Sequence, residues 1–282
     1  MPVADIPAGG DARALLPGLG TRTMIMGVLN VTPDSFSDGG LFISPDAAIR
    51  HAAEMEGEGA DIIDVGGEST RPGHVPVGAQ EEQARVIPVI AALSRATAVP
   101  ISIDTYKAAT ARRALKAGAR IVNDVWGLSR DPEMAVAVAE AGATAVVMHN
   151  REEIDPSVDI GDDMIAFFER ALERARRAGV GDGQIVLDPG IGFGKTWEQH
   201  LEAIRQIPRL KALGFPVLVG ISRKSVLGRF YDAAVPPRER LFATIAAHVA
   251  AIGLGADIVR VHDVRPHVEA CRVADAIRRT AP

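Results

Sequence analysis

A short phrase recurs along this chain, in which a helical segment ends in Gly-Ala and a run of apolar, often β-branched residues follows. It occurs as EGADIIDVG at 58–66, AGARIVNDV at 117–125, AGATAVVMH at 141–149 and LGADIVRVH at 254–262. Glycine just past a helix supplies the left-handed residue that ends it. An apolar run this short, bounded on both sides, is typical of a strand buried on both faces. Each copy therefore predicts a helix end followed by a strand of a parallel sheet.

Further apolar runs lie at 23–29, 100–103, 184–187 and 216–219, so strands are predicted to start near residues 23, 61, 100, 120, 144, 184, 216 and 257. Helical patterns lie between them, among them single helices over 197–214 and 238–255, and a first helix that Ser44 caps and Pro45 opens. Eight strands alternating with eight helical segments predict an α/β fold with a single (β/α)8 TIM barrel. A doubly wound open sheet is the alternative, which the even recurrence of the units disfavours.

The whole chain of 282 residues has the length of one such barrel. We expect a single barrel domain over residues 21–282, preceded by a Gly-, Pro- and Ala-rich lead over 1–20. That lead is expected either to be disordered in part or to cap the bottom of the barrel.

Composition narrows the class of function. The chain has 31 basic and 36 acidic residues, a net charge of −5, which argues against nucleic acid as a partner. Its single cysteine, Cys271, excludes an internal disulfide and a Cys-rich metal site, and fits a reducing compartment. Neither a secretory signal nor an apolar run long enough for a bilayer is visible, so we expect a cytoplasmic protein without a membrane partner.

Polar residues stand at or just after the carboxyl end of every predicted strand. Chemistry sits at that end in barrel enzymes. A single polar residue there is more often a helix cap or a satisfied loop group. Eight strands that all deliver one to the same rim predict a concave polar pocket with both signs of charge. These residues are Asn30, Asp64, Glu68, Thr70, Arg71, Asp104, Asn123, Asp124, His149, Asp188, Ser222, Arg223, Lys224, Arg260 and His262.

Three glycine-rich segments lie among these strand ends. Those over 30–44 and 66–82 are long for a compact domain, which is typical of lids or binding loops. We expect residues 31–43 and 67–80 within them to be mobile without ligand and to order over the site when a ligand is bound. The third, DPGIGFGKT at 188–196, resembles a phosphate loop, but the required first glycine is replaced by Pro189. A Walker-type loop is therefore rejected, although its backbone N–H groups can still face a ligand.

Several of these stretches resemble the dihydropteroate synthases. MGVLNVTPDSFSDGG at 26–40 and DVGGESTRPG at 64–73 match the two signature stretches of that family. SIDTYK (102–107), VNDV (122–125), DPGIGFGKT (188–196), GISRKS (220–225) and RVHDV (260–264) match its remaining blocks in order. The chain departs from the family after the fifth strand, where MHNREEIDPSVDI replaces a Gly/Pro-containing turn.

The resemblance implies a transferase of folate biosynthesis that joins a dihydropterin, carried as its CH2-pyrophosphate, to 4-aminobenzoate and releases pyrophosphate. Asp188 would accept hydrogen bonds from the pterin amide and amine, Asn123 would contact the opposite edge, and Asp104 would contact ring nitrogens. A carboxylate is a suitable planar partner for two adjacent N–H donors. The ring faces would be covered by Val125, Met148, Phe193 and Leu218, and Gly220 would let the ring approach the backbone.

The other half of the implied site handles pyrophosphate and aminobenzoate. Arg260 and His262 would bind the leaving group, and Asn30 would hold a Mg2+ ion shared with it. Departure of pyrophosphate before attack would require cations around the leaving group and anions near the ring, so Asp104, Lys224, Arg260 and His262 are the expected catalytic residues. The aminobenzoate side would consist of Thr70, Arg71, Pro72, Lys224 and Ser225.

Three other interpretations remain open at this point. A methyltetrahydrofolate:corrinoid methyltransferase would share the Asp–Asn–Asp grip on a pterin but would not need the strand-8 Arg-His pair. An inactive pterin-binding paralogue would have lost its anion-binding residues, which are intact here. A sugar-phosphate barrel enzyme would give the two long loops no role.

A homodimer is also expected, because the helical pattern over 238–255 is apolar around most of its circumference.

Overall fold

The computed structural model describes residues 11–31, 45–68 and 76–279. Each strand begins within two residues of its predicted start. The strands are β1 Met24–Asn30, β2 Ile62–Gly66, β3 Ile101–Asp104, β4 Ile121–Asp124, β5 Thr144–Met148, β6 Ile185–Asp188, β7 Leu218–Val219 and β8 Ile258–Val261.

All eight strands are parallel and pair in the order β6-β5-β4-β3-β2-β1-β8-β7. A parallel bridge between Leu187 and Val217 joins the two outer strands, and the Leu187 N–H donates to the Pro216 carbonyl at 2.9 Å. The sheet therefore closes on itself. This confirms the (β/α)8 barrel and rules out the open doubly wound sheet.

Helices connect the strands and surround the barrel. Their bounds are α1 Ala12–Leu15, α2 Pro45–Glu58, α3 Ala79–Ala96, α4 Ala108–Ala117, α5 Met134–Ala141, α6 Ile160–Arg177, α7 Trp197–Arg205, α8 Ile207–Ala212, α9 Leu241–Leu254 and α10 Val264–Arg279. None of the helices within the described residues is long and apolar enough to cross a membrane.

Two helix predictions need correction. The single helix expected over 197–214 is wrong, because the chain forms α7 and α8 with a break at Gln206. Pro208 follows this break, and its missing N–H prevents an unbroken helical ladder. The helix expected over 238–255 begins later, because 237–239 form a 3-10 turn before α9 starts at Leu241.

The strand side chains divide between two apolar clusters. Outward residues such as Ile63, Ile103 and Val147 pack against the helices. Inward residues fill the N-terminal half of the barrel. These are Met24, Met26, Ile62, Ile121, Val146, Val186, Leu218 and Ile258. Layers of branched side chains of this kind make a barrel interior a packed core.

The described part of the N-terminal lead closes this end of the barrel. Asp11 caps α1 by accepting a hydrogen bond from the Arg13 N–H at 2.9 Å. Leu15, Leu16 and Leu19 then join the interior cluster at the start of the strands. The carboxyl ends of the strands lie at the opposite end from this plug. Residues 1–10, the expected cap Ser44, and most of the two long loops, 32–44 and 69–75, lie outside the described residues.

We expect Leu16→Ala to lower the free energy of unfolding by about 2–4 kcal/mol, because it leaves a cavity in the plug. Leu16 is 1% exposed. Urea unfolding followed by circular dichroism measures the change. Ile154→Ala is the matched control, since Ile154 is 60% exposed and its truncation should change stability by less than about 0.5 kcal/mol. Equal unfolding curves for the two variants would contradict a packed N-terminal plug.

Candidate active site

The alternation of side chains along each strand delivers the polar residues to the barrel mouth. A residue two positions after an inward-facing one also faces inward. Six residues at the strand ends each follow a member of the interior apolar cluster by two positions and therefore face inward as well. They are Asp64, Asn123, Met148, Asp188, Gly220 and Arg260. The strand register also sets Asn30, Gly66, Asp104 and Asn123 side by side at the carboxyl edge.

Arg260 on β8 lies between two carboxylates from neighbouring strands. Its Nε is 2.6 Å from Asp64 Oδ2, and its Nη2 is 2.7 Å from Asp104 Oδ2. Asn123 Nδ2 donates to the same Asp64 oxygen at 3.0 Å. Burial by itself lowers the pKa of Arg260, but the two carboxylates outweigh burial and raise that pKa above its ordinary value. The arginine is therefore a permanent cation in the floor of the mouth.

Asp64 belongs to the predicted rim of polar residues, but the family resemblance assigns it no part in ligand binding. Its inward position follows from Ile62, which occupies the same face of β2 two residues earlier. Asp64 is fully buried, and its contact with Arg260 spans 196 residues of sequence. Alternation could have predicted where its side chain faces, but not that Arg260 is its partner.

Asp104 is a carboxyl group in an unfavourable setting. Burial raises the pKa of Asp104 to about 7, with Arg260 opposing the rise and Asp64 adding to it. One oxygen of each carboxylate, Asp64 Oδ1 and Asp104 Oδ1, is buried without a hydrogen-bond partner among the described residues. Buried acceptors in native proteins are nearly always satisfied. Two orphaned acceptors on one floor indicate a surface suited to a ligand that presents N–H donors.

Asp188 ends β6 on the opposite side of the mouth. Its Oδ1 accepts a hydrogen bond from the Gly190 N–H at 2.7 Å. Burial raises the pKa of Asp188, while Lys224 and the Gly190 N–H oppose the rise. Gly220 faces it, and a Cβ added there would lie 4.0 Å from Asp188 Oδ2 and 3.6 Å from the Cβ of Arg260. The lack of a side chain at Gly220 keeps this approach open.

Lys224 follows β7 and crosses toward the glycine-rich segment after β6. Its Nζ donates to the Ile191 carbonyl and lies 4.5 Å from the centroid of the Phe193 ring. Burial lowers the pKa of Lys224 to about 8, and Asp188 opposes the decrease. Gly192, at φ +93, leaves room for the lysine stem, because a Cβ there would lie 2.8 Å from Lys224 Cδ.

Groups on α7 and α9 hold the loops that carry these residues. On α9, Thr244 Oγ1 accepts the Arg223 N–H at 3.2 Å, and His248 Nε2 accepts the Ile221 N–H at 3.4 Å. On α7, His200 Nδ1 accepts the Gly192 N–H at 3.1 Å. Sequence reasoning did not assign these roles. The visible signal was a pair of polar residues, Thr244 and His248, in an otherwise apolar helix.

Ser222 links the loops after β7 and β8. Its Oγ accepts the His262 N–H at 3.2 Å and lies 3.0 Å from His262 Nδ1. Arg223, at φ +59, forms an ion pair with Asp263, with Nε 3.0 Å from Oδ2. His262 and Asp263 are thus fixed from the β7 side.

The remaining predicted site residues are distributed unequally. Val125 and Met148 are buried at the ends of β4 and β5. Leu218 lies deeper, in the interior apolar cluster and one inward step before Gly220. Ser225 is exposed at the start of a 3-10 turn, 225–230, which Lys224 directly precedes. Thr70, Arg71 and Pro72 lie outside the described residues.

The segment after β5, where the sequence departs from the family pattern, forms a loop that side-chain contacts hold in place. His149 is buried, its Nε2 lies 3.0 Å from Asp163 Oδ2, and its ring meets Phe167 edge to face at 5.0 Å. Burial lowers the pKa of His149 to about 4. Asn150 Nδ2 donates to the Val125 carbonyl at 3.0 Å, which ties this loop to the end of β4. His149 is therefore a neutral structural residue.

Comparison with known proteins agrees with this geometry. The family of pterin binding enzymes matches the chain over residues 26–262. A dihydropteroate synthase of Clostridium beijerinckii is 47% identical over 93% of this chain and 96% of its own length.

Solved structures give the same result. The crystal structure of dihydropteroate synthase from Clostridium difficile, obtained in the presence of pteroic acid, has a TM-score of 0.89 at 52% identity and covers 93% of this chain and 99% of that one. The Xanthomonas albilineans enzyme with 4-aminobenzoic acid has a TM-score of 0.87 at 41% identity and covers 93% and 94%. The closed barrel, the polar residues at its mouth and these similarities together establish that the chain belongs to the pterin binding enzymes and, among them, to the dihydropteroate synthase family, transferases of folate biosynthesis.

Proposed function

We propose that this chain condenses 6-hydroxymethyl-7,8-dihydropterin pyrophosphate with 4-aminobenzoate, giving 7,8-dihydropteroate and pyrophosphate. The observation that carries the proposal is the barrel mouth itself. Buried carboxylates on β2, β3 and β6 surround two cationic side chains, Lys224 and Arg260. A dihydropterin presents N–H donors to carboxylates and a pyrophosphate to cations, so it fits both halves of this arrangement.

Recognition of the ring follows from the acceptors that the protein leaves available. Asp188 has one oxygen engaged by the Gly190 N–H, and its other oxygen faces the open side at Gly220. Asp104 Oδ1 and Asp64 Oδ1 are buried acceptors that a ring N–H could satisfy. Sites that match a polar edge in this way discriminate strongly against analogues that lack it. Phe193 and Met148 supply apolar surface for the ring faces.

Arg260 can serve the ring and the leaving group together. A guanidinium has five N–H donors, and the bonds to Asp64 and Asp104 use only two of them. The remaining donors are available to pyrophosphate, next to His262. As the carbon–oxygen bond breaks, Arg260 and His262 stabilise the departing anion, while Asp104 stabilises positive charge on the pterin. One pair of opposite charges at ~4 Å and an effective dielectric of ~20 stabilises the transition state by about 4 kcal/mol, which is roughly a thousandfold in rate.

Asn30 is the proposed protein ligand of a Mg2+ ion that arrives with pyrophosphate. It ends β1 beside Gly66 and Asp104, and its Oδ1 lies 3.7 Å from where a Cβ of Gly66 would be. Among the described residues no cluster of His, Cys, Asp or Glu forms a metal cage. A single amide oxygen fits Mg2+, which takes most of its ligands from water and phosphate oxygens in sites of this kind. Bound there, the ion would neutralise part of the leaving-group charge.

A homodimer is the proposed assembly. Helices α9 and α10 pack side by side and present large apolar side chains to solvent. Phe242 is 82% exposed and Ile277 is 78% exposed, and Val249 and Val273 lie on the same two faces. The buried face of α9 includes the polar residues Thr244 and His248, whereas Phe242 and Val249 lie on its exposed face. A patch of this composition is typical of a protein–protein interface.

Pyrophosphate release provides the direct test of the function. Release should require pterin pyrophosphate and 4-aminobenzoate together, and dihydropteroate should form in equal amount. A chain that binds the pterin without turnover would instead be an inactive pterin-binding protein. Turnover of methyltetrahydrofolate with a corrinoid acceptor would indicate the methyltransferase alternative.

We expect Lys224→Ala to lower kcat/KM by about 2–4 kcal/mol, roughly 30- to 1000-fold, because it removes a charge-assisted bond in a largely buried site. The thermal melt should change little, since the side chain lies along the mouth and outside the apolar core. Steady-state kinetics and a melt on this variant test both expectations. Near-wild-type kcat/KM, or a loss explained entirely by unfolding, would remove Lys224 from the site.

Asn30→Ala should abolish the dependence of pterin pyrophosphate binding on Mg2+, because it removes the proposed protein ligand. Isothermal titration with and without Mg2+, at constant ionic strength, measures this dependence. Asn30→Asp keeps an oxygen ligand and should retain it. If Asn30→Ala responds to Mg2+ as the wild type does, the ion is not held by Asn30.

Phe242→Asp should convert the dimer to a monomer, because it introduces a charge into the apolar patch. Light scattering at micromolar concentration reports the mass. Ile154→Asp places the same charge at an exposed apolar residue outside the patch and should leave the mass unchanged. A monomeric wild type would contradict the proposed assembly.

A further inference from the structure

Lys195 is a lysine that is almost fully buried yet forms no ion pair with a carboxylate in the described chain. It ends the glycine-rich segment after β6 and is 3% exposed. Its Nζ donates to three main-chain carbonyls, at 3.0 Å to Gly190, 3.2 Å to Phe193 and 3.4 Å to His149. An ammonium has three N–H donors, so its capacity is used. It has no donor left for a phosphate, which removes the nucleotide-loop interpretation of this segment on structural grounds as well.

Gly190 connects Lys195 to the proposed pterin carboxylate. Its N–H donates to Asp188 Oδ1 at 2.7 Å, while its carbonyl accepts from Lys195. The residue has φ +68, and a Cβ there would lie 1.9 Å from the His149 carbonyl oxygen. Only glycine is compatible with that contact. The position of the Gly190 N–H, and so of Asp188, therefore depends on a backbone conformation that the ammonium helps to fix.

The same ammonium also holds the other side of the loop. The Phe193 carbonyl accepts from Lys195, and the Phe193 ring lies under Lys224. His200 on α7 fixes Gly192 between them through its ring nitrogen. The ammonium of Lys195 thus holds both parts of this segment. One part carries Asp188, a proposed contact of the pterin edge, and the other carries Phe193, a proposed contact of the pterin face.

Charged groups face Lys195 from several elements. Burial lowers the pKa of Lys195 to about 7, Asp188 of β6 and Asp163 of α6 oppose the decrease, and Lys224 and Arg151 add to it. The pKa values of His149 and His200 are lowered to about 4, chiefly by burial, and Lys195 contributes to the decrease. It also lowers the pKa of Asp188, against the effect of burial.

We propose that Lys195 is a positioning residue for pterin binding, whose ammonium fixes the backbone of residues 188–194 and supplies positive charge behind Asp188. The inference rests on the proposed function, since it concerns the site assigned to the pterin. It predicts a specific loss of pterin affinity, whereas a merely structural lysine would affect stability alone.

The test compares Lys195→Met with Lys211→Met. Lys211 also donates to a main-chain carbonyl, that of Phe215 at 3.2 Å, and contacts a carboxylate, Asp257 at 2.5 Å, but it precedes β7 at the plugged end of the barrel. Direct binding of pterin pyrophosphate is measured without aminobenzoate, and KM for each substrate is measured separately. Lys195→Met should weaken pterin binding and raise its KM at least tenfold, with less than a threefold change in KM for aminobenzoate. Lys211→Met should lower the melting temperature and leave pterin affinity unchanged.

The pH dependence of pterin binding separates the effect of the Lys195 charge from the effect of its hydrogen bonds to the loop. Pterin binding requires ionised Asp188 and is lost as pH falls through the pKa of that carboxyl. Removing the cation raises this pKa further, so the acidic limb of binding should move to higher pH in Lys195→Met and stay in place in Lys211→Met. Equal affinity and an unshifted limb in a folded Lys195→Met protein would overturn the proposal.

Lys195→Gln is the second variant, because it is uncharged but keeps amide donors for the carbonyls. It should fold more readily than the Met variant and show the same shift of the acidic limb. If it binds pterin like the wild type at every pH, or if both variants fail to fold, Lys195 serves folding alone and the proposal is overturned. A wild type that binds no pterin would instead contradict the proposed function.

Discussion

Closure of the eight-stranded sheet is the constraint on which the site depends. It brings Arg260 of β8 against Asp64 of β2, residues separated by 196 positions in sequence. An arginine in the mouth of a packed barrel requires nearby anions, and β2 and β3 supply two of them, Asp64 and Asp104. Because the bridge between Leu187 and Val217 completes the ring, Asp188 is held on the opposite side from Asp64. The distances across the mouth are therefore set by strand number and register, with little freedom left to individual loops.

The free protein retains groups that are poorly satisfied. Asp104 has a raised pKa, and one oxygen of both Asp64 and Asp104 is buried with no hydrogen-bond partner in the part of the chain that the structure describes. A buried unsatisfied acceptor costs about 1–3 kcal/mol. The plug of leucines and the layer of branched residues beneath the mouth offset that cost, since they belong to the packed core. The apolar end of the barrel therefore stabilises the fold, and the polar end keeps hydrogen-bond acceptors that a ligand can satisfy.

Much of this arrangement could be predicted from the sequence, because strand positions and side-chain facing depend on local patterns. Contacts between distant elements could not be predicted in this way. Strand positions follow from short apolar runs behind Gly-Ala, and the facing of Asn123, Asp188 and Arg260 follows from a period of two. The break before Pro208 was missed because a helical pattern continues on both sides of it. The partners of Arg260 and the roles of Thr244 and His248 were missed because they depend on elements brought together only by the fold. Thr70, Arg71 and Pro72 stay predictions, since they lie outside the described residues.

Gly190 has a consequence for how the site can change over evolutionary time. Any side chain at this position would meet a carbonyl oxygen at 1.9 Å, and a left-handed φ adds further strain. Resistance to an inhibitor arises where a residue can be exchanged without loss of the fold. An inhibitor that takes its affinity from the backbone around Gly190 and from Asp188 would therefore engage atoms that mutation cannot readily displace. One that relies on the exposed Ser225 would contact a residue whose replacement leaves the packed core of the fold intact.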